Sequence, residues 1–186
     1  MPWEQVHLFW GDERWAPLQG PDSNFAMAWE TLVSRVPIPP GNVHAVPVET
    51  GSPEEAAVKY EEMLKEFFRG QDREPGSPPR FDLILLGVGA DGHTASLFPG
   101  SPLLEENGRW AAAALPPPTI SPATPRVTFT LSVINAARCV LFLVSTAGKR
   151  ELLSRVLDRP GETSELLPAA RVRPRGELVW FLHDET

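Results

Sequence analysis

An apolar run closed by a glycine-rich turn, with a histidine just past it, constrains this chain more than any other stretch. Residues 81–100 read FDLILLGVGADGHTASLFPG. Residues 83–88 carry no charge and are broken only by Gly87, which predicts a strand buried on both faces, as in a parallel sheet. The turn then sets Asp91 and His93 at the strand's carboxyl end, where open α/β sheets place their ligands.

The flanking sequence supplies strands and helices for such a sheet. Residues 5–10 predict a strand, followed at once by a charged loop of Gly11, Asp12, Glu13 and Arg14. Asp22 and Ser23 suit the cap of a helix whose apolar residues Phe25, Trp29, Leu32, Val33 and Val36 keep helical spacing until Pro37, Pro39 and Pro40 stop it. Residues 43–48 form a short strand candidate. Ser52, with Pro53 at the first helical position and Glu55 completing a capping box, opens a helix with Tyr60, Leu64, Phe67 and Phe68 on one face. Residues 70–80 are polar and rich in Pro and Gly, an exposed connection. Further strands are expected at 110–115, 126–131, 139–144 and 178–182, with a proline-rich loop at 116–125 and a helix over 148–157 opened by Lys149. The expectation is a single α/β domain over 1–186, a Rossmann-like, mostly parallel sheet with helices on both faces.

Composition excludes several functional classes. A net charge of −7 and a pI near 5.1 oppose a nucleic-acid partner, which calls for a basic stripe. No stretch approaches the roughly 18 apolar residues of a membrane span, and the first residues lack the pattern of a signal peptide. A cytoplasmic protein with no membrane partner is expected. The single cysteine, Cys139, opens an apolar run and reads as core, so neither a disulfide framework nor a cysteine zinc site is available. His7, His44 and His183 lie at strands without metal-ligand spacing and read as structural.

Gly87, Gly89 and Gly92 match G-x-G-x-x-G, the dinucleotide fingerprint. Context speaks against a nicotinamide cofactor. Pro99 arrives too soon after Gly92 for a full helix, and the strand candidate at 110–115 ends in Ala114 and Leu115 rather than an acid. What the glycines offer is a tight turn whose backbone N–H groups, at Gly89 and Gly92, are placed for an anion or oxyanion. His93 beside them can take a proton from water and return it to a leaving oxygen, with Asp91 orienting the ring. In the plainer reading His93 caps a short helix, HTASLF, and Asp91 satisfies turn amides. Ser96 is the hydroxyl nearest in sequence, but no G-x-S-x-G elbow makes it a nucleophile.

The segment GVGADGHTASLFPGSP resembles the signature of the 6-phosphogluconolactonases, relatives of the glucosamine-6-phosphate deaminases, whose similar DGH turn continues differently. WGDERWAP with DSNFAMA, RVTFTL with Asn135 and Ala136, GKRELL, LPAARV and LVWFL follow in that family's order, so the resemblance spans nearly the whole chain. It implies hydrolysis of 6-phospho-D-glucono-1,5-lactone in the pentose phosphate pathway. His93 would activate the attacking water and Asp91 would support it. Arg14 would stabilise developing negative charge or hold substrate oxygens, with Asp12 and Asn24 positioning it. Arg126 and Lys149 would bind the 6-phosphate. A lactone is an activated ester, so water, a general base and oxyanion donors suffice without metal or cofactor.

A sugar-phosphate isomerase or deaminase on the same fold, and a non-catalytic sugar-phosphate-binding or interaction protein, are the alternatives. The resemblance also implies a further strand, helix and Ser/Gly/Thr-rich phosphate loop ahead of the segment matching VHLFWGDER. The expectation is therefore an N-terminally truncated form, monomer or homodimer, lacking some phosphate donors and exposing an apolar face or sheet edge.

Overall fold

The computed structural model describes residues 1–70, 76–157 and 167–184. In chain order its elements are β1 (Leu8–Phe9), β2 (Asp12–Arg14), α1 (Asn24–Thr31), β3 (Val43–His44), α2 (Pro53–Phe67), β4 (Ile84–Leu86), β5 (Ala111–Ala114), β6 (Arg126–Phe129), α3 (Leu131–Ala136), β7 (Cys139–Ser145), α4 (Arg150–Leu157) and β8 (Glu177–His183). Part of the expected connection at 70–80 lies outside the described residues.

Two groups of strands are parallel: β1 with β3, and β4, β7 and β8 in that spatial order. The third group, β2–β6–β5, is antiparallel. The mostly parallel α/β expectation is met, but the antiparallel group corrects one part of it. Residues Asp12–Arg14, expected as a charged loop, form a strand opposite Arg126–Thr128. Three charged residues in a row carry no strand signature; a neighbouring ladder makes them one.

Local signals placed most of the helices. Ser23 caps α1 by accepting from the Ala26 N–H, and Ser52 caps α2 by accepting from the Glu55 N–H. Glu55 reaches back to the Gly51 N–H rather than to that of Ser52. α1 ends at Thr31, earlier than its apolar spacing suggests, and Trp29 and Leu32 are exposed. The expected strand at 5–10 shrinks to two residues behind a 3-10 turn at Trp3–Gln5, and the one at 43–48 shrinks likewise. Leu131, expected in a strand, instead begins α3.

The core lies between α2, the antiparallel strands and the inner face of β4–β7. Tyr60 is fully buried, and its hydroxyl accepts from the Trp10 N–H and donates to the Trp10 carbonyl. That bond fixes the chain between β1 and β2. Glu61 accepts from the Trp110 N–H at 2.7 Å and so fastens α2 to the start of β5. In β4, Ile84 and Leu86 face this core, but Leu85 is 58% exposed. Leu83, Leu143, Val179 and Phe181 are exposed as well, and the register aligns Leu85 with Leu141 and Val179, and Leu143 with Phe181. The strand expected to be buried on both faces is buried on one. Cys139 is half-buried at the start of β7.

Candidate active site

The turn after β4 is closed by its own backbone. The Gly89 N–H donates to the His93 carbonyl at 2.9 Å, and the Gly92 N–H donates to the Gly89 carbonyl at 3.0 Å. The two amides expected to face an anion are thus engaged within the turn. The glycines serve geometry instead. A Cβ at Gly89 would lie 2.2 Å from both Cε1 and Nδ1 of His93, so only glycine lets the ring lie across the backbone there. Gly92 has φ +85°, the left-handed region that favours glycine.

His93 is held by Asp91. The carboxylate Oδ1 accepts from the His93 backbone N–H at 3.1 Å and lies 2.5 Å from ring Nδ1. With Nδ1–H donating to the carboxylate, Nε2 carries the lone pair and is the basic nitrogen. The helix HTASLF does not form. Residues 94–97 make a tight turn in which the Leu97 N–H donates to the Thr94 carbonyl, and Thr94 Oγ1 ties the turn to the Gly87 carbonyl at 2.9 Å.

Two cations, Arg126 and Lys149, reach this stretch from distant segments, and a third, Arg14, stands beside the first of them. The antiparallel register sets Arg14 directly opposite Arg126. Arg126 is only 4% exposed and its Cζ sits 5.6 Å from the Phe98 ring centroid, while the His93 ring centroid lies 4.9 Å from that of Phe98. Burial, and after it the Arg14 charge, lowers the Arg126 pKa, while Asp12 acts in the opposite sense. Among the described residues the only hydrogen bond from its guanidinium is a long one, Nη2 to the Pro122 carbonyl at 3.4 Å, and Nε has no partner. Arg14 donates through Nη1 to the Asp22 carbonyl, and its buried Nε is also unpartnered among the described residues. Lys149, just ahead of α4, donates through Nζ to the Val88 carbonyl at 2.7 Å, immediately before Gly89. Arg126 and Lys149 therefore meet the histidine turn at different ends.

Comparison with known proteins places the chain in a family. Residues 1–180 match the sequence family described as glucosamine-6-phosphate isomerases/6-phosphogluconolactonase. The chain belongs to that family. A 6-phosphogluconolactonase from Synechocystis is 42% identical over 185 residues, covering 100% of this chain and 73% of the relative. One from Homo sapiens is 42% identical over 174 residues, covering 93% of this chain and 64% of the relative. The solved structure of a 6-phosphogluconolactonase from Thermotoga maritima superposes with a TM-score of 0.81 at 36% identity, covering 100% of this chain and 75% of that one.

Within this member of the glucosamine-6-phosphate isomerase/6-phosphogluconolactonase family, Asn24 lies against Asp12. Its Nδ2 donates to the Asp12 carbonyl at 2.9 Å and, more weakly, to Asp12 Oδ1 at 3.4 Å. Glu13 is a residue that sequence reasoning left without a role. It is fully buried, and its carboxylate accepts from the N–H groups of Arg14, Asn24 and Phe25 and from the Ser23 hydroxyl. A carboxylate at the first N–H groups of α1 is favoured by the helix dipole as well. No sequence signal marks it; only once pairing with β6 makes residues 12–14 a strand does alternation turn Glu13 away from Asp12 and Arg14. Ser96, the rejected nucleophile, is fully buried and donates to Asp12 Oδ2 at 2.7 Å. Among the described residues, no three His, Cys, Asp or Glu side chains gather where they could share a metal ion, and no helix is long and apolar enough to cross a membrane.

Proposed function

We propose that this chain hydrolyses 6-phospho-D-glucono-1,5-lactone to 6-phospho-D-gluconate in the cytoplasm, with His93 as general base and without a metal. The observation that carries the reading is the Asp91–His93 pair, 2.5 Å apart on a turn that Gly89 keeps open, beside a buried arginine with an unpartnered nitrogen. Family membership supports the substrate class.

Water is deprotonated by His93 Nε2 as its oxygen bonds to the lactone carbonyl carbon. Asp91 keeps the ring in the required tautomer and stabilises the imidazolium that forms. The negative charge that develops on the carbonyl oxygen is met by a guanidinium, for which Arg14 is the candidate. Collapse breaks the bond from that carbon to the ring oxygen, and the imidazolium returns the proton to the departing oxygen. Arg126 and Lys149 are assigned to the phosphate, where charge-assisted hydrogen bonds supply affinity.

A coupled assay that follows acid release above the spontaneous rate tests the reading. His93→Ala is expected to lower kcat by about 10²- to 10⁴-fold, the usual share of a general base. Wild-type turnover by that variant would remove His93 from the mechanism. Ammonia release from glucosamine 6-phosphate, with no acceleration of lactone hydrolysis, would move the chain to the deaminase side of its family.

A further inference from the structure

On β2, strand alternation places Asp12 and Arg14 on one face and Glu13 on the other. Across the ladder Asp12 stands opposite Thr128 and Arg14 opposite Arg126, and directly opposed side chains share a face. One carboxylate and two guanidiniums therefore crowd a single patch. Arginine and carboxylate at such range ordinarily form a bidentate pair. Here they do not. Among the described residues no salt bridge involves Asp12, Arg14 or Arg126. Both oxygens of Asp12 are taken by neutral donors, Oδ2 by the Ser96 hydroxyl at 2.7 Å and Oδ1 by the Asn24 amide at 3.4 Å.

The arginines are left with unpartnered buried nitrogens. Each such donor costs about 1–3 kcal/mol, and more when charged. Ser96 comes from the same turn as His93. Ala95 before it has φ +46°, a left-handed conformation uncommon for a residue with a side chain. The Ser96 N–H donates to Thr128 Oγ1 at 3.1 Å, so the serine is tied to both strands of the ladder. An unusual backbone, a buried hydroxyl and a contact across 84 residues of sequence all serve to hold one carboxylate.

We propose that Ser96 is a positioning residue: its hydroxyl holds the Asp12 carboxylate off Arg126 and Arg14, keeping both guanidiniums available to an anionic substrate. The proposal rests on the reading that these arginines receive the substrate's negative charge. Ser96 acts through Asp12 and touches neither substrate nor His93. Because the hydroxyl is neutral, it fixes the carboxylate without adding a competing cation. Loss of the hydroxyl frees Asp12 Oδ2 to turn onto Arg126, and the resulting internal pair occupies the site meant for substrate.

Five proteins test this: wild type, Ser96→Ala, Asp12→Asn, the double variant and Arg126→Gln. The probe is inorganic phosphate, followed by calorimetry at low salt, with a crystal structure of Ser96→Ala alongside. In that structure an Asp12 oxygen is expected within about 4 Å of an arginine nitrogen. Phosphate affinity in Ser96→Ala is expected to fall about tenfold, equivalent to about 1.4 kcal/mol. The double variant is expected to regain the affinity of Asp12→Asn, because an amide cannot form the competing ion pair. A merely structural serine would give a double variant as weak as Ser96→Ala or weaker, and that result overturns the proposal. So does an Asp12 that stays in place in the Ser96→Ala structure. Failure of the underlying reading looks different. Wild type and Arg126→Gln would then bind phosphate equally, or not at all, and the position of Asp12 in the crystal would decide the clamp by itself.

Discussion

Two regions of this molecule set a carboxylate beside basic side chains, and they handle the pairing in opposite ways. In the turn after β4, Asp91 is bound to His93 at 2.5 Å, two residues away in sequence. On the β2–β6 ladder, Asp12 faces two arginines and is bound instead by Ser96 and Asn24. The first arrangement suits a group that must gain and lose a proton, because a fixed anion steadies the charged form. The second suits groups whose charge must stay available. Proximity of opposite charges therefore does not by itself say which will pair; the neutral donors around them decide it.

The sharpest way to break the ladder side is to remove the other acid of β2. Glu13→Ala withdraws a fully buried acceptor from three backbone N–H groups and the Ser23 hydroxyl. A loss of at least about 3 kcal/mol is expected, read as a lower denaturant midpoint. Unchanged stability would mean that the start of α1 is held by something else. The turn is probed next by Gly89→Ala, whose new Cβ would fall 2.2 Å from the His93 ring. The ring must swing away, and displacement on the order of 1 Å at a reacting group costs about 10²-fold in rate. The expected result is a kcat loss of that size with little change in melting temperature. Wild-type turnover would separate the histidine from the chemistry.

The smallest effect concerns a third contact, outside both regions, in which neither partner is an acid. His7 Nδ1 and His44 Nε2 lie 3.0 Å apart, with the His44 ring stacked on Phe9. Burial, and then His7, lower the His44 pKa below its ordinary 6.5. The unfolded chain thus takes up the proton first as pH falls. The stability that His44 contributes is complete above about pH 6.5 and declines as pH drops through the window beneath it. His44→Gln should flatten that part of the melting-temperature profile and leave the pH dependence of kcat unaltered. A parallel shift in kcat would tie this contact to the site after all.

What the sequence made legible follows the same division. The turn is local: an apolar run, three glycines and a DGH triplet lie within a few residues, and their spacing marks a tight turn at a strand's end. Ser23 and Ser52 were legible for the same reason, since a cap is a short-range device. The ladder is not local. Asp12–Arg14 becomes a strand only when Arg126–Thr128 arrives beside it, and no periodicity can be read from three charged residues. Arg14, Arg126 and Lys149 could be nominated only through family resemblance, and Ser96 drew attention only as the hydroxyl nearest His93 in sequence. The amides of Gly89 and Gly92 show the converse limit. A glycine-rich turn was recognised correctly, yet its N–H groups close the turn, and the glycines are there to make room for a ring.

The open side of the β4–β7–β8 sheet has a practical corollary. Leu85 and Phe181, each more than half exposed, together with Leu83, Leu143 and Val179, offer folded protein to solvatochromic dyes that ordinarily report loosened packing. Dye fluorescence should be high before any heating and should rise little through the transition. A screen based on that signal would score a well-ordered sample as a poor one, whereas near-ultraviolet circular dichroism, which senses the fixed surroundings of the buried Tyr60, Trp10 and Trp110, would not be misled.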